Sequence, residues 1–331
     1  MVNIKDVAKR AGVSPATVSR VLNDNYIVSQ KRKEMVMSAI NELGYEPNMA
    51  GRMLRASETK TLLVAFSVMI PEFLNGVTDA VRKANYDVLF SFTPTFAGSQ
   101  NPLKPVHQGM VDGVILQDVM LKEEVLKGLF DKYPTVMCGG LMPFSLYQDS
   151  VIDINNLEIS YEMTKHLIRK GKKRIASVGI VLDESIEPEF SRKREQGIKK
   201  ALKEAGMIYD AAMNYKGDVG YDTGRSAVAY FMNLNEMPDA IFCFNDKIAI
   251  GCISALKNHG FKVPDDIYVT GFDNLGITDQ FDPAITTIAQ PFYDMGMESV
   301  RLLIGKIKGE AHLKPHKIEA KLVLRESTDD K

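Results

Sequence analysis

The chain has only three cysteines, Cys138, Cys243 and Cys252, and no two of them form a CxxC pair. That is too few and too scattered for a disulfide frame or a structural zinc site, and it suits a reducing compartment. No apolar run approaches 18 residues, and no basic segment leads into an apolar core at the start. Neither a membrane span nor a secretion signal is expected, which makes the cytoplasm the expected location. A GxSxG elbow, a Walker loop and a GxGxxG after a strand are also missing. With no nucleophile–base pair visible either, no enzyme and no cofactor are expected. Gly217, Gly220 and Gly224 fit no phosphate fingerprint. His312 and His316 have i,i+4 spacing, but Pro315 would break a helix aligning them, so they read as surface loop and not as metal ligands.

Strong charge of either sign is lacking too: the net charge is −1. It is unevenly spread. Residues 1–60 hold ten Lys/Arg against six Asp/Glu, a net +4, and the rest of the chain is −5. A small basic head on an acidic body is what a protein needs if only the head meets phosphate. The 331 residues are 45% hydrophobic and suffice for two or three domains.

What is present starts with the head. Asn3 and Asp6 resemble a capping box, ahead of a helix from Ile4 to Ala11 with Val7, Ala8 and Ala11 inward and Gly12 as its stop. Ser14 is a suitable N-cap for a second helix, with Pro15 at the first helical position. Val18, Val21 and Leu22 fall on one side of that helix. Ala16, Thr17, Ser19, Arg20 and Asn23 fall on the other, a small polar face with one basic arm. Ser29 is expected to cap a third helix, Gln30 to Leu43, ended by Gly44. Helix, glycine turn and capped helix make the helix-turn-helix plan, whose polar face can enter a major groove. Any three-helix bundle would show similar apolar spacing, so the pattern alone leaves both readings open.

From Thr61 onward short apolar runs alternate with amphipathic stretches, the mark of βα units and parallel sheet. Strands are expected at 62–68, 88–92, 113–116, 135–138, 174–179, 240–244 and 267–272. Helices are expected at 73–84, 123–133, 158–170, 193–205, 223–234, 248–259 and 295–308, with Gly171, Gly206 and Gly260 at C-cap positions. This predicts a doubly wound α/β body of two similar lobes. Ligands in such folds bind beyond the carboxyl ends of strands, which singles out Asn245, Asp246 and Asp273, and Arg194 opening a helix. Asp246 is ambiguous between the ligand set and capping the next helix, and capping is the expected role.

Several stretches carry a resemblance. Ile4-Lys5-Asp6-Val7-Ala8, Ala11-Gly12-Val13-Ser14, Thr17-Val18-Ser19-Arg20-Val21-Leu22-Asn23 and Leu43-Gly44-Tyr45-Glu46-Pro47-Asn48 resemble the DNA-binding head of the LacI/GalR family of bacterial repressors. In the body, Arg194-Glu195-Gln196-Gly197, Asn245-Asp246, Gly271-Phe272-Asp273-Asn274 and Thr287-Ile288-Ala289-Gln290-Pro291 resemble its effector-domain motifs. The resemblance implies a head over 1–46, a hinge helix and linker over 47–60, and an effector-binding and dimerising body over 61–331. It implies that Pro15, Ala16 and Arg20 read bases of a pseudo-palindromic operator, with Asn23 on the same face, while Thr17 and Ser19 hold phosphates. It further implies a wedge of Leu54 into the central base step, supported by Arg55. Arg194, Asn245 and Asp273 would bind a small effector, a sugar or related metabolite, in a homodimer.

Some stretches depart from that pattern. Gly51 stands where the family has Ala, which costs a helix about 0.8–1.0 kcal/mol. A hinge this short is expected to order only on DNA. The first lobe is shortened between Ser67 and Gly76, and Pro94, Pro102 and Pro105 interrupt a stretch where a longer helix normally runs. Ile154-Asn155 replaces the family's Asp-Asn, and Val219 sits where an aromatic is usual. Two alternatives accompany this reading. One is a sugar-binding or transport protein; the other is a repressor controlled by a protein partner.

Overall fold

The computed structural model describes residues 2–23, 28–45, 58–93, 102–141, 147–182, 187–310 and 313–329. The chain divides into two compact units, Met1–Thr59 and Lys60–Lys331. The hinge expected over 47–60, with Leu54 and Arg55, lies almost wholly outside the described residues, as does the Asn23 side chain.

The first unit holds three helices: α1 (Ile4–Ala11), α2 (Pro15–Asn23) and α3 (Gln30–Leu43). Val7, Val18 and Val36 are fully buried at their meeting point, with Ala8, Ala11, Val21 and Ala39 around them. The capping box of α1 is formed: the Asn3 carboxamide accepts from Asp6 N at 3.3 Å, and Asp6 Oδ2 accepts from Asn3 N at 2.9 Å. Gly12 and Gly44 end α1 and α3 at φ 65° and 57°, where a glycine meets no Cβ penalty. Ser29 departs from expectation. It precedes α3, but its hydroxyl makes no capping bond.

The second unit begins with β1 (Thr61–Phe66), α4 (Pro71–Lys83), β2 (Asp87–Phe92), the single turn α5 (Lys104–His107), β3 (Gly113–Gln117), α6 (Glu123–Lys132), β4 (Thr135–Cys138) and β5 (Val151–Ile152). Their sheet runs β2-β1-β3-β4-β5, all parallel. Every residue of β1 is buried because both faces are covered. Leu62, Val64 and Phe66 face one apolar cluster and Leu63 and Ala65 the other, the two-residue alternation of a strand.

The chain then crosses to a second lobe. It contains α7 (Asn156–Arg169), β6 (Ile175–Ile180), α8 (Glu189–Glu204), β7 (Asn214–Gly217), α9 (Tyr221–Phe231), β8 (Ala240–Cys243), α10 (Asp246–Asn258) and β9 (Tyr268–Thr270). Its parallel sheet runs β7-β6-β8-β9. After β10 (Thr287–Ala289) the chain returns to the first lobe as α11 (Phe292–Ile307), which packs on α4 and over β3 and β4. It comes back once more to pair β11 (Lys321–Val323) antiparallel with β10. Gly224 on α9 and Gly251 on α10 let these two helices touch backbone to backbone, since a Cβ at 224 would collide with Ile248 O and one at 251 with Tyr221 O. Packing is thus the role of Gly224. No helix among the described residues is long and apolar enough to cross a membrane.

A candidate operator-reading face and a candidate effector cleft

On the head, the orientation of α2 follows from its buried side. Val18 is 0% exposed and Val21 6%. Pro15, Ala16 and Arg20 are therefore exposed, and Thr17 and Ser19 are half-buried. The helix start is held by Ser14, whose Oγ accepts from Thr17 N at 3.2 Å and meets Thr17 Oγ1 at 3.0 Å. Pro15, Ala16, Ser19 and Arg20 join Ile4 and Lys5 of α1 around a shallow recess of about 410 Å³. Lys5 was not among the expected contacts. Its α1 position gave no sequence signal, and only the crossing of α1 and α2 brings it beside Arg20. Across the bundle, Arg10 pairs with Glu42 at 2.6 Å and ties α1 to α3.

In the body, the carboxyl ends of both sheets supply the second constellation. Arg194 lies in the second turn of α8, not at the helix start as expected, because α8 begins at Glu189 just after Pro188. It is 4% exposed. Its Nε donates to Asn156 Oδ1 at 2.9 Å, and its NH1 donates to the Phe244 carbonyl. The guanidinium carbon stands 3.3 Å from the Phe272 ring centroid and 4.7 Å from that of Phe190. Burial pulls Arg194 down to about 10, opposed by the nearby charges of Asp273, Asp153 and Asp118, so it stays protonated at neutral pH.

Asp273 follows β9 with a left-handed backbone, φ 115°, and accepts from Gln290 Nε2 at 2.6 Å. Burial raises its pKa, while Arg194 and Gln290 hold it back. Arg194 and Asp273 therefore feel each other's charge yet bond to other partners. Asn245 is the N-cap of α10: its Oδ1 accepts from Ile248 N at 2.7 Å, and its Nδ2 donates to Val219 O at 3.0 Å. The expected capping by Asp246 is thus corrected. Asp246, fully buried, instead accepts from Thr287 Oγ1 at 2.6 Å and Leu275 N at 2.7 Å, fastening the loop after β9.

The first lobe brings Asp118, which the sequence reading did not single out. It directly follows β3 with φ 51°, and its Oδ2 accepts from Gln117 Nε2. Burial first, and then the charge of Asp273, push its pKa up to about 7. Asp153, at the crossing after β5, takes Lys193 at 3.0 Å and Asn156 Nδ2 at 2.9 Å. Where the sequence departs from the family at Ile154-Asn155, Asn156 is the residue that reaches Arg194.

Known proteins resemble this arrangement over its whole length. Residues 3–48 match the model for bacterial regulatory proteins of the lacI family, and residues 164–328 match a periplasmic binding protein-like domain. The HTH-type transcriptional regulator RegA of Clostridium saccharobutylicum is 34% identical, over 98% of this chain and 99% of its own. The chain belongs to the lacI family. Among solved structures, the lac repressor dimer bound to operator and the anti-inducer ONPF superposes with a TM-score of 0.87 at 25% identity, covering 99% of each chain. A transcriptional regulator CelR–cellobiose complex superposes at 0.73 with 29% identity, covering 99% of this chain and 100% of that one.

A lacI-family regulator carries its DNA-binding head as residues 3–48 do here, which sets aside the reading as a transport protein. Phe244, Phe272 and Gln290 touch Arg194 or Asp273 in this constellation, and sequence reasoning passed over them as core or motif filler. Asp118 had no motif to mark it. Its approach to the cleft depends on β3 ending at Gln117 and on the glycine opposite it at 139.

Proposed function

We propose that the protein is a cytoplasmic, homodimeric repressor that binds a pseudo-palindromic operator through its head and is controlled by a small hydroxyl-rich metabolite in the body. The observation that carries the control is the convergence of Asp118 from one lobe with Asp273 and Arg194 from the other, at the carboxyl ends of both sheets. Such a position is where doubly wound folds bind ligands. The sugar-class ligand is supported by the likeness to a cellobiose-bound regulator.

In the DNA complex, Arg20 reads a guanine edge, Pro15 and Ala16 contact bases beside it, and Thr17 and Ser19 reach phosphate, with Asn23 at the same face. Leu54, flanked by Arg52 and Arg55, wedges into the centre of the operator. A metabolite changes DNA affinity only if it binds the DNA-competent and incompetent states unequally. Its influence on the head travels through residues 47–60, the one covalent link. Asn245, with both ends of its carboxamide engaged in capping α10 and holding Val219 O, lends its position to the cleft edge.

The test is selection of binding sites from random DNA by the full chain. Expected is a pseudo-palindrome whose affinity changes when a sugar that raises the protein's melting temperature is added. Recovery of no common sequence, or an affinity indifferent to every stabilising sugar, refutes the proposal.

A further inference from the structure

The first lobe's share of the cleft is built from acceptors. Gln117 is 2% exposed, and its Nε2 is committed to Asp118. Its Oε1 has no hydrogen-bond partner among the described residues. A buried amide oxygen left so is costly unless a donor arrives. Asp118 beside it is held in place by three features. Its backbone N–H donates to Cys138 O at 3.1 Å, its carbonyl accepts from Ser67 Oγ, and its Oδ1 occupies the space that a Cβ at Gly139 would take. Gly139 has φ 95°, so the loop is shaped around the carboxylate.

Opposite stand Asp273, another acceptor, and Arg194, two of whose five N–H groups already serve Asn156 and Phe244 O. The ligand must therefore bring O–H or N–H donors to both lobes. A phosphate would instead add negative charge beside two carboxylates in a desolvated cleft, a repulsion that Arg194, its charge already shared with Asp273 and Asp118, offsets only in part.

Resting on the metabolite-controlled reading above, we infer that the effector is an unphosphorylated sugar or polyol, and that Asp118 with Gln117 is the first-lobe acceptor pair that selects it against phosphorylated counterparts. One residue pair thus sets both recognition and exclusion. The pair also explains why Gly139 stands where it does: any side chain there would displace Asp118.

The full-length protein is tested by thermal shift and calorimetry against glucose and glucose 6-phosphate, cellobiose and cellobiose 6′-phosphate, ribose and ribose 5-phosphate, and hypoxanthine. Expected is binding of a neutral sugar with its phosphate at least about tenfold weaker. At pH 8, above the Asp118 pKa, Asp118→Asn should lower the neutral sugar's affinity by about tenfold or more, the loss of a charged hydrogen bond. The unliganded melting temperature of Asp118→Asn should not fall, which separates a ligand role from a merely structural one. Equal or tighter binding of a sugar phosphate, unchanged affinity in Asp118→Asn, or no binding of any neutral sugar overturns the inference. If hypoxanthine alone binds and Asp273→Ala abolishes that binding, the inference falls while metabolite control stands. If Asp273→Ala leaves the affinity of every bound probe unchanged, the cleft reading falls as well.

Discussion

The guanidinium carbon of Arg194 lies 3.3 Å from the ring centroid of Phe272, the residue that precedes Asp273. Together with the bonds to Asn156 and Phe244 O, this stack fixes the plane of the charge. A lysine can neither stack in that way nor donate along two directions from one plane. Arg194→Lys is expected to destabilise the body by on the order of 2 kcal/mol, the value of one charged hydrogen bond lost in a buried site. Urea unfolding measures it, and a midpoint equal to wild type would show that the stack contributes little.

The capping box of α1 has a measurable weight. Asn3→Ala removes the acceptor for Lys5 N and Asp6 N, at a cost of about 1 kcal/mol. Amide exchange of residues 4–11 in the full chain should quicken by about fivefold, the equilibrium factor for that energy. Unchanged exchange would mean that α1 is held by Val7, Ala8 and Ala11 alone.

Arg20→Ala is expected to weaken operator binding by about 1–3 kcal/mol per half-site while random DNA is bound nearly as before. Competition binding at one fixed salt concentration distinguishes the outcomes. Equal weakening on both DNAs would reduce Arg20 to a phosphate contact.

Asp118 links stability to pH. Its folded pKa is raised from 3.8 to about 7, first by burial. Between those values the folded state holds a proton that the unfolded state has lost, so stability falls as pH rises through the window. Asn mimics the neutral acid. Asp118→Asn should therefore gain on wild type at pH 8 relative to pH 4.5 in urea midpoints. A gap independent of pH would mean that Asp118 ionises freely.

The backbone plan was legible because periodicity reports burial directly. β1, β3 and β4 are unbroken apolar runs covered on both faces, and the glycines at 171, 206 and 260 take the left-handed backbone that ends their helices. Strand β7, Asn214-Tyr215-Lys216-Gly217, was not legible, since a half-exposed edge strand needs no apolar run. β5 has two residues and gives no period at all. In the cleft, Arg194 and Asp273 could be read because they end or flank recognisable runs. Asp118 could not, because its significance lies in Gly139, which the β3–β4 pairing sets beside it, and in Asp273, which only the packing of the two lobes brings near. Asp246 misled for the opposite reason. Asn245 and Asp246 are both good caps, and only the position of Thr287 shows which one faces inward.

The central claim is that a ligand between the lobes governs DNA binding through Asp273. It is tested most directly by fluorescence anisotropy of the selected operator, titrated with wild type and Asp273→Ala in the presence and absence of the stabilising sugar. The account predicts that the sugar shifts the wild-type operator Kd and leaves that of Asp273→Ala where it was. An equal shift in both proteins would contradict it.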